Sequence, residues 1–221
     1  MGRKNKLKRF AEMEHFSNVF QPSYAEVMNA DFSKKGQWHT EFGNTHPIVL
    51  ELGCGKGEYT INLAKKYPEK NYIGIDIKGA RIWKGAKYAL ENHIDNVRFL
   101  RTRIEFINHF FGPSEVSEIW ITFPDPQLKE ARAKKRLTAP RFLQLYRSFL
   151  APSHKIHLKT DSRELYDYTM EVLAREQAVI YRHSADIDTD FPGDELLAIK
   201  TFYEQRWIAE GKKITYIEFS L

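Results

Sequence analysis

Three glycines at alternate positions, Gly53, Gly55 and Gly57, follow directly on the apolar run Ile48-Val49-Leu50-Glu51-Leu52. No other stretch restricts the fold as much. An apolar strand ending in glycine, followed by an amphipathic segment from Glu58 to Tyr67 that Pro68 stops, predicts a buried strand turning tightly into a helix. Turns of this kind belong to doubly wound α/β sheets, where they cradle a nucleotide-like ligand at the helix N-terminus. A dinucleotide fingerprint would want its third glycine at position 58. Glu58 stands there, and a carboxylate opposes a pyrophosphate at a helix N-terminus, an objection that Lys56 weakens.

The rest of the chain continues the alternation. Asn71–Ile77, Val97–Leu100, Glu118–Phe123, Lys155–Lys159, Val179–His183 and Tyr216–Phe219 read as further strands, separated by amphipathic helices. The expected fold is α/β: a doubly wound, Rossmann-like sheet of seven mostly parallel strands with helices on both faces. Residues 48–221 form the expected catalytic domain, and residues 1–47 a basic extension whose first nine residues are expected to be mobile without a partner. Glu51, at a strand end two residues before Gly53, is placed to accept hydrogen bonds from a cationic amino group, which suits a ligand such as S-adenosylmethionine. Asp76 ends the second strand, 19 residues beyond Gly57, where a carboxylate accepts from a ribose diol in sheets of this kind. Asp125 lies between Pro124 and Pro126 at the end of the fourth strand. Each proline pushes its predecessor out of the helical region, so Phe123 and Asp125 are both expected to be extended.

Charge narrows the partners. The chain carries a formal charge of +5, and its basic residues cluster: Arg3, Lys4, Lys6, Lys8 and Arg9 at the start, then Lys129, Arg132, Lys134, Lys135, Arg136 and Arg141. Two such clusters on an enzyme-like domain point to a polyanion, nucleic acid first. Lys84 and Lys87 read as a solvated helix face. The single cysteine, Cys54, excludes an internal disulfide and a multi-cysteine metal site, and no metal is expected. With no long apolar run and no signal-peptide core, a cytoplasmic location without a membrane is expected.

Together, Glu51-Leu52-Gly53-Cys54-Gly55-Lys56-Gly57, Gly74-Ile75-Asp76, Phe123-Pro124-Asp125-Pro126 with Lys129 and the basic run after it, Thr160-Asp161, and Thr201-Phe202-Tyr203-Glu204 with Arg206 resemble the bacterial single-chain tRNA (guanine-N7-)-methyltransferases. The resemblance implies a class I methyltransferase fold and transfer of a methyl group from S-adenosylmethionine to N7 of the variable-loop guanosine of tRNA. It implies that Glu51 and Asp76 serve the cofactor with the glycine turn. Asp125 would serve both cofactor and catalysis, and Lys129, Asp161, Thr201, Phe202, Tyr203 and Glu204 the substrate. It requires no protein partner and leaves a homodimer open. Three positions depart from the family pattern: Gln127 replaces a tryptophan, Ala131-Arg132 an Arg-His pair, and Arg103 the acidic residue expected near the adenine, with Glu105 a nearby substitute.

N7 of guanine has an in-plane lone pair and no proton, so its alkylation needs alignment rather than a general base. Asp125 is the expected orienting anion, and Asp161 or Glu204 the expected reader of the Watson–Crick edge. Two other readings of the same residues are a methyltransferase acting on another RNA and a non-catalytic tRNA-binding module. Intact Glu51, Asp76 and Asp125 oppose the second.

Overall fold

Side chains alternating between the two faces of continuously buried strands build the core. In β2 (Ile48–Leu52), Leu50 and Leu52 face a cluster with Ile73, Ile75, Ile119, Ile121, Leu143 and Leu173, while Val49 faces the opposite one with Tyr59, Leu63, Ile82, Phe99 and Trp120. Both faces of the sheet are therefore covered, as a parallel sheet requires. The structure, a computed structural model, describes residues 3–29 and 32–221, with side chains at all of these except 3–6, 202 and 203.

The sheet has eight strands rather than seven, in the order β1-β4-β3-β2-β5-β6-β8-β7. The added strand is β1 (Val19–Phe20), which pairs in parallel with β4 (Val97–Arg101) at the edge. Two residues are too few to show a period, so nothing in the sequence marked it. The other parallel strands are β3 (Asn71–Asp76), β5 (Val116–Thr122) and β6 (Leu150–Thr160). β8 (Thr215–Ser220) runs antiparallel between β6 and β7 (Val179–Ser184). The order reverses between β2 and β5, so the crevice of this open sheet falls at their carboxyl ends.

The basic leader is built into the domain. The helix α1 (Arg3–Met13) begins inside the stretch expected to be mobile, of which residues 1 and 2 lie outside the described residues. It lies on α5 (Gly79–Glu91), where Gly79 makes room: a Cβ there would be 2.6 Å from the Phe10 ring and 2.9 Å from Met13. The Trp83 indole donates to Glu12 at 2.7 Å, and the Arg9 guanidinium lies 4.4 Å over the same ring. Short helices α2 (Tyr24–Met28) and α3 (Trp38–Phe42) follow. Trp38 is fully buried and donates to the Phe110 carbonyl at 2.8 Å, while Glu115 accepts from the backbone N–H groups of Gly36, Trp38 and Gly112.

Candidate functional site: a donor crevice at the switch point

The glycine turn folds as its spacing requires. Gly53, Gly55 and Gly57 all have positive φ, and at Gly57 a Cβ would lie 2.6 Å from the Phe99 ring. Gly57 is the N-cap of α4 (Glu58–Lys66), whose first turn faces Glu51. One Glu51 oxygen accepts from the Thr60 N–H at 2.8 Å and from the Thr60 hydroxyl, and the other accepts from the Thr122 hydroxyl at 2.7 Å. One carboxyl thus ties together β2, α4 and β5. Burial pushes it up to about 7, against those hydrogen bonds, and nearby Asp76 adds to the rise. A ligand cation beside Glu51 would favour its ionised form.

Two lobes meet at Gly53. The first, about 310 Å³, is walled by Glu51, Cys54, Tyr59, Arg81, Phe123 and Thr201. The second, about 280 Å³, is walled by Asp76, Thr102, Arg103, Glu105, Lys135 and Phe142, and Gly53 lines both. At Asp76, one oxygen accepts from Gly55 N–H at 3.0 Å and the other from Lys78 N–H at 2.8 Å, which leaves lone pairs for a diol. Two lobes on either side of the glycine turn suit an elongated ligand with two chemically different ends, with Glu51 in the wall of one lobe and Asp76 in the wall of the other. Arg103 lines the second lobe, and so does Glu105, 4.0 Å from Arg141.

The other expected site residues are spread around this crevice. Asp125 is exposed at the tip of the loop after β5, and its Oδ1 accepts from Gln127 N–H at 3.1 Å. Two residues earlier an expectation is corrected: Phe123 is not extended but has φ +47°, and its ring packs on Trp207 with centroids 5.0 Å apart. Packing on Trp207 and the hydrogen bond from Phe123 N–H to the Lys159 carbonyl (2.8 Å) hold this strained residue. Lys129 is exposed and precedes a 3-10 turn, Glu130–Lys135. Arg136, counted with the basic run, is buried: it donates to the carbonyls of Pro126 and Gln127 and lies 4.2 Å over Tyr168. It holds the loop rather than offering charge to solvent. Asp161 follows β6 and is paired with Lys212 at 2.8 Å.

Thr201 caps the helix Phe202–Ala209 by accepting from Glu204 N–H. The side chains of Phe202 and Tyr203 lie outside the described residues. Glu204 departs from the reading that gave it the guanine edge. It is fully buried, 2.7 Å from the equally buried ammonium of Lys159, which also donates to the carbonyls of Leu197 and Ile199. A carboxylate without accessible surface cannot meet a base. Thr60, Thr122, Arg81, Phe123 and Trp207 were not read as site residues, although Thr122 adjoins the Phe-Pro-Asp-Pro run and Arg81 follows Asp76 by five residues.

An eight-stranded sheet with an antiparallel strand inserted next to its last parallel one, and a glycine-turn crevice at the switch point, define the class I methyltransferase fold. Solved structures agree on the fold: "Structure of an Antibiotic Related Methyltransferase" has a TM-score of 0.61 at 16% identity, covering 93% of this chain and 97% of that one. The 16S rRNA methyltransferase KamB has a TM-score of 0.60 at 15% identity, covering 90% and 94%. Residues 45–217 match the family described as "Putative methyltransferase". A tRNA (guanine-N(7)-)-methyltransferase of Christiangramia forsetii is 53% identical over 223 residues, covering 100% of both chains. One of Bacteroides thetaiotaomicron is 50% identical over 219 residues, 99% of this chain and 86% of that protein. The chain belongs to the tRNA (guanine-N(7)-)-methyltransferase family.

Proposed function

We propose that this chain methylates N7 of the variable-loop guanosine of tRNA, with S-adenosylmethionine as donor. The reading is supported by the two-lobed crevice walled by Glu51 and Asp76, in a chain that matches a tRNA (guanine-N(7)-)-methyltransferase over its whole length. When bound, S-adenosylmethionine supplies a methyl group made electrophilic by its sulfonium.

Glu51 holds the donor's ammonium, and Asp76 accepts from its ribose hydroxyls. Glycines at 53 and 55 keep the wall between the two lobes free of side chains, so the ligand can approach the backbone. The nucleophile needs no base, because N7 carries no proton, and the protein's task is to align it. Asp125 supplies an anion beside the purine as its positive charge grows; its Oδ2 takes no hydrogen bond among the described residues. Asp161 accepts from the N1–H and amino groups of guanine, an edge on which adenine offers an acceptor instead. Leaving its stack costs the base a few kcal/mol, which phosphate contacts from exposed Lys129, Arg132, Lys134 and Lys135 offset. Thr201, the N-cap of the helix Phe202–Ala209, lines the crevice on the side from which the substrate enters. Because tRNA is the substrate, we place the enzyme in the cytoplasm; no described helix is long and apolar enough to cross a membrane.

The test is incubation with unmodified tRNA and methyl-labelled donor, followed by nucleoside analysis. Label in N7-methylguanosine supports the reading, and label in another nucleoside, or none, overturns it. Asp125→Ala should keep tRNA binding and lose at least 100-fold in turnover, on the order expected for one transition-state contact. Wild-type turnover would remove Asp125 from the mechanism.

A further inference from the structure

A second groove of about 270 Å³ runs between α4 and α5, lined by Lys56, Glu58, Asn62, Lys65, Lys84 and Tyr88 among others. Its carboxylate, Glu58, is paired with Lys56 at 3.5 Å. Lys65 donates to the Tyr88 hydroxyl at 2.7 Å and lies over that ring, and Tyr88 is still 41% exposed. Lys84 is exposed and makes no ion pair among the described residues. Lys84 is thus solvated, as its helix face was read, and it also lines the groove.

Packing explains why these cations converge. At Gly85 a Cβ would lie 2.4 Å from the Lys56 carbonyl oxygen, so α5 rests directly against the glycine turn and brings Lys84 beside Lys56. Arg81, Lys84 and Tyr88 follow one another at helical spacings of three and four, which places them on one stripe about 10 Å long. Arg81 lines the donor crevice, Lys84 and Tyr88 line the groove, and the paired Lys56 and Glu58 line both, leaving Lys65, Lys84 and Arg81 as the charges along it uncompensated among the described residues. The groove is thus a cationic continuation of the crevice mouth.

We propose that this α4–α5 groove is a second seat for the tRNA, in which Lys65 and Lys84 neutralise consecutive backbone phosphates while Tyr88 packs against the nucleotide between them. The assignment rests on the reading of the enzyme as a tRNA methyltransferase. Lysines flanking an exposed aromatic ring and an amide suit a phosphodiester chain, which needs neutralisation along its length and offers flat bases. The contact positions the RNA and carries no sequence information.

The test compares Lys65→Gln/Lys84→Gln with Arg147→Gln/Arg175→Gln, which removes the same charge from helices on the opposite face of the sheet. With tRNA as ligand, the groove variant should bind about tenfold more weakly near 0.1 M salt, and its plot of log affinity against log salt should be shallower by about 2. Turnover at saturating tRNA and donor binding by calorimetry should stay at wild-type values. Single Lys84→Gln should give about half the change in slope. Wild-type affinity and slope in the groove variant, or an equal loss in the control, would overturn the proposal. Failure of the underlying reading is seen separately, as wild-type protein that leaves no N7-methylguanosine in tRNA.

Discussion

Lys159 and Glu204 illustrate what a sequence hides at the level of single residues. Both are charged, both are wholly buried, and each is the other's counter-ion. Burial lowers the lysine's pKa and raises the carboxyl's, so the pair survives in the core only because each charge neutralises the other, two carbonyls accept from the lysine, and Thr201 N–H donates to the carboxylate. Lys159→Met should therefore cost about 3 kcal/mol or more in urea unfolding, and the double variant Lys159→Met/Glu204→Met clearly less; equal losses would show that the charges are not coupled. Glu51 and Asp76 were legible because their distance from the glycine turn fixes their place at strand ends. Glu204 was not, since no spacing reveals which lysine a distant strand will point inward. Glu51 also has a pH signature. Its carboxyl rises from an ordinary 4.5 to about 7 in the folded chain, so its contribution to stability is present below 4.5 and lost as pH climbs towards 7. With Glu51 holding the donor's ammonium, as proposed, binding needs the ionised form, so affinity should increase with pH through about 7, with proton release on binding. In Glu51→Gln the pH dependence measured by calorimetry should vanish and the affinity should fall.

At the level of elements, the close approach of α5 to the glycine turn decides the shape of both cavities. Gly85→Ala places a methyl group against a carbonyl oxygen that cannot rotate away, and overpacking of this sort costs about 1 to 3 kcal/mol. Chemical denaturation should show that loss together with weaker tRNA binding, and an unchanged midpoint would mean that the helix shifts freely. The loop after β5 is the other element that matters. Its prolines were visible in the sequence, but Phe123 at φ +47° was not, because that conformation is imposed by Trp207 and the Lys159 carbonyl, both distant in the chain. Strand β1 was missed for want of length, whereas the longer strands declared themselves through burial on both faces.

For the molecule as a whole, the basic leader matters as much for cohesion as for charge. Met13 is 1% exposed, and with Phe10 it fills the hollow left by Gly79, so α1 completes one face of the core. Deletion of residues 1–13 should lower Tm by roughly 5 to 10 °C, since burial of two such side chains is worth a few kcal/mol. A leader acting only as an RNA-binding arm would leave Tm unchanged. The doubly wound architecture itself could be read from strand and helix alternation; the leader's docking could not, because it depends on a cavity formed by residues far along the chain. One last consequence concerns Cys54, which is 6% exposed in the wall of the donor crevice and is the chain's sole cysteine. Burial raises its thiol well above the ordinary value, so it stays protonated and slow to alkylate. A single iodoacetamide adduct, timed by mass spectrometry, becomes a clock for how often the glycine turn breathes, and an occupied crevice should stop that clock.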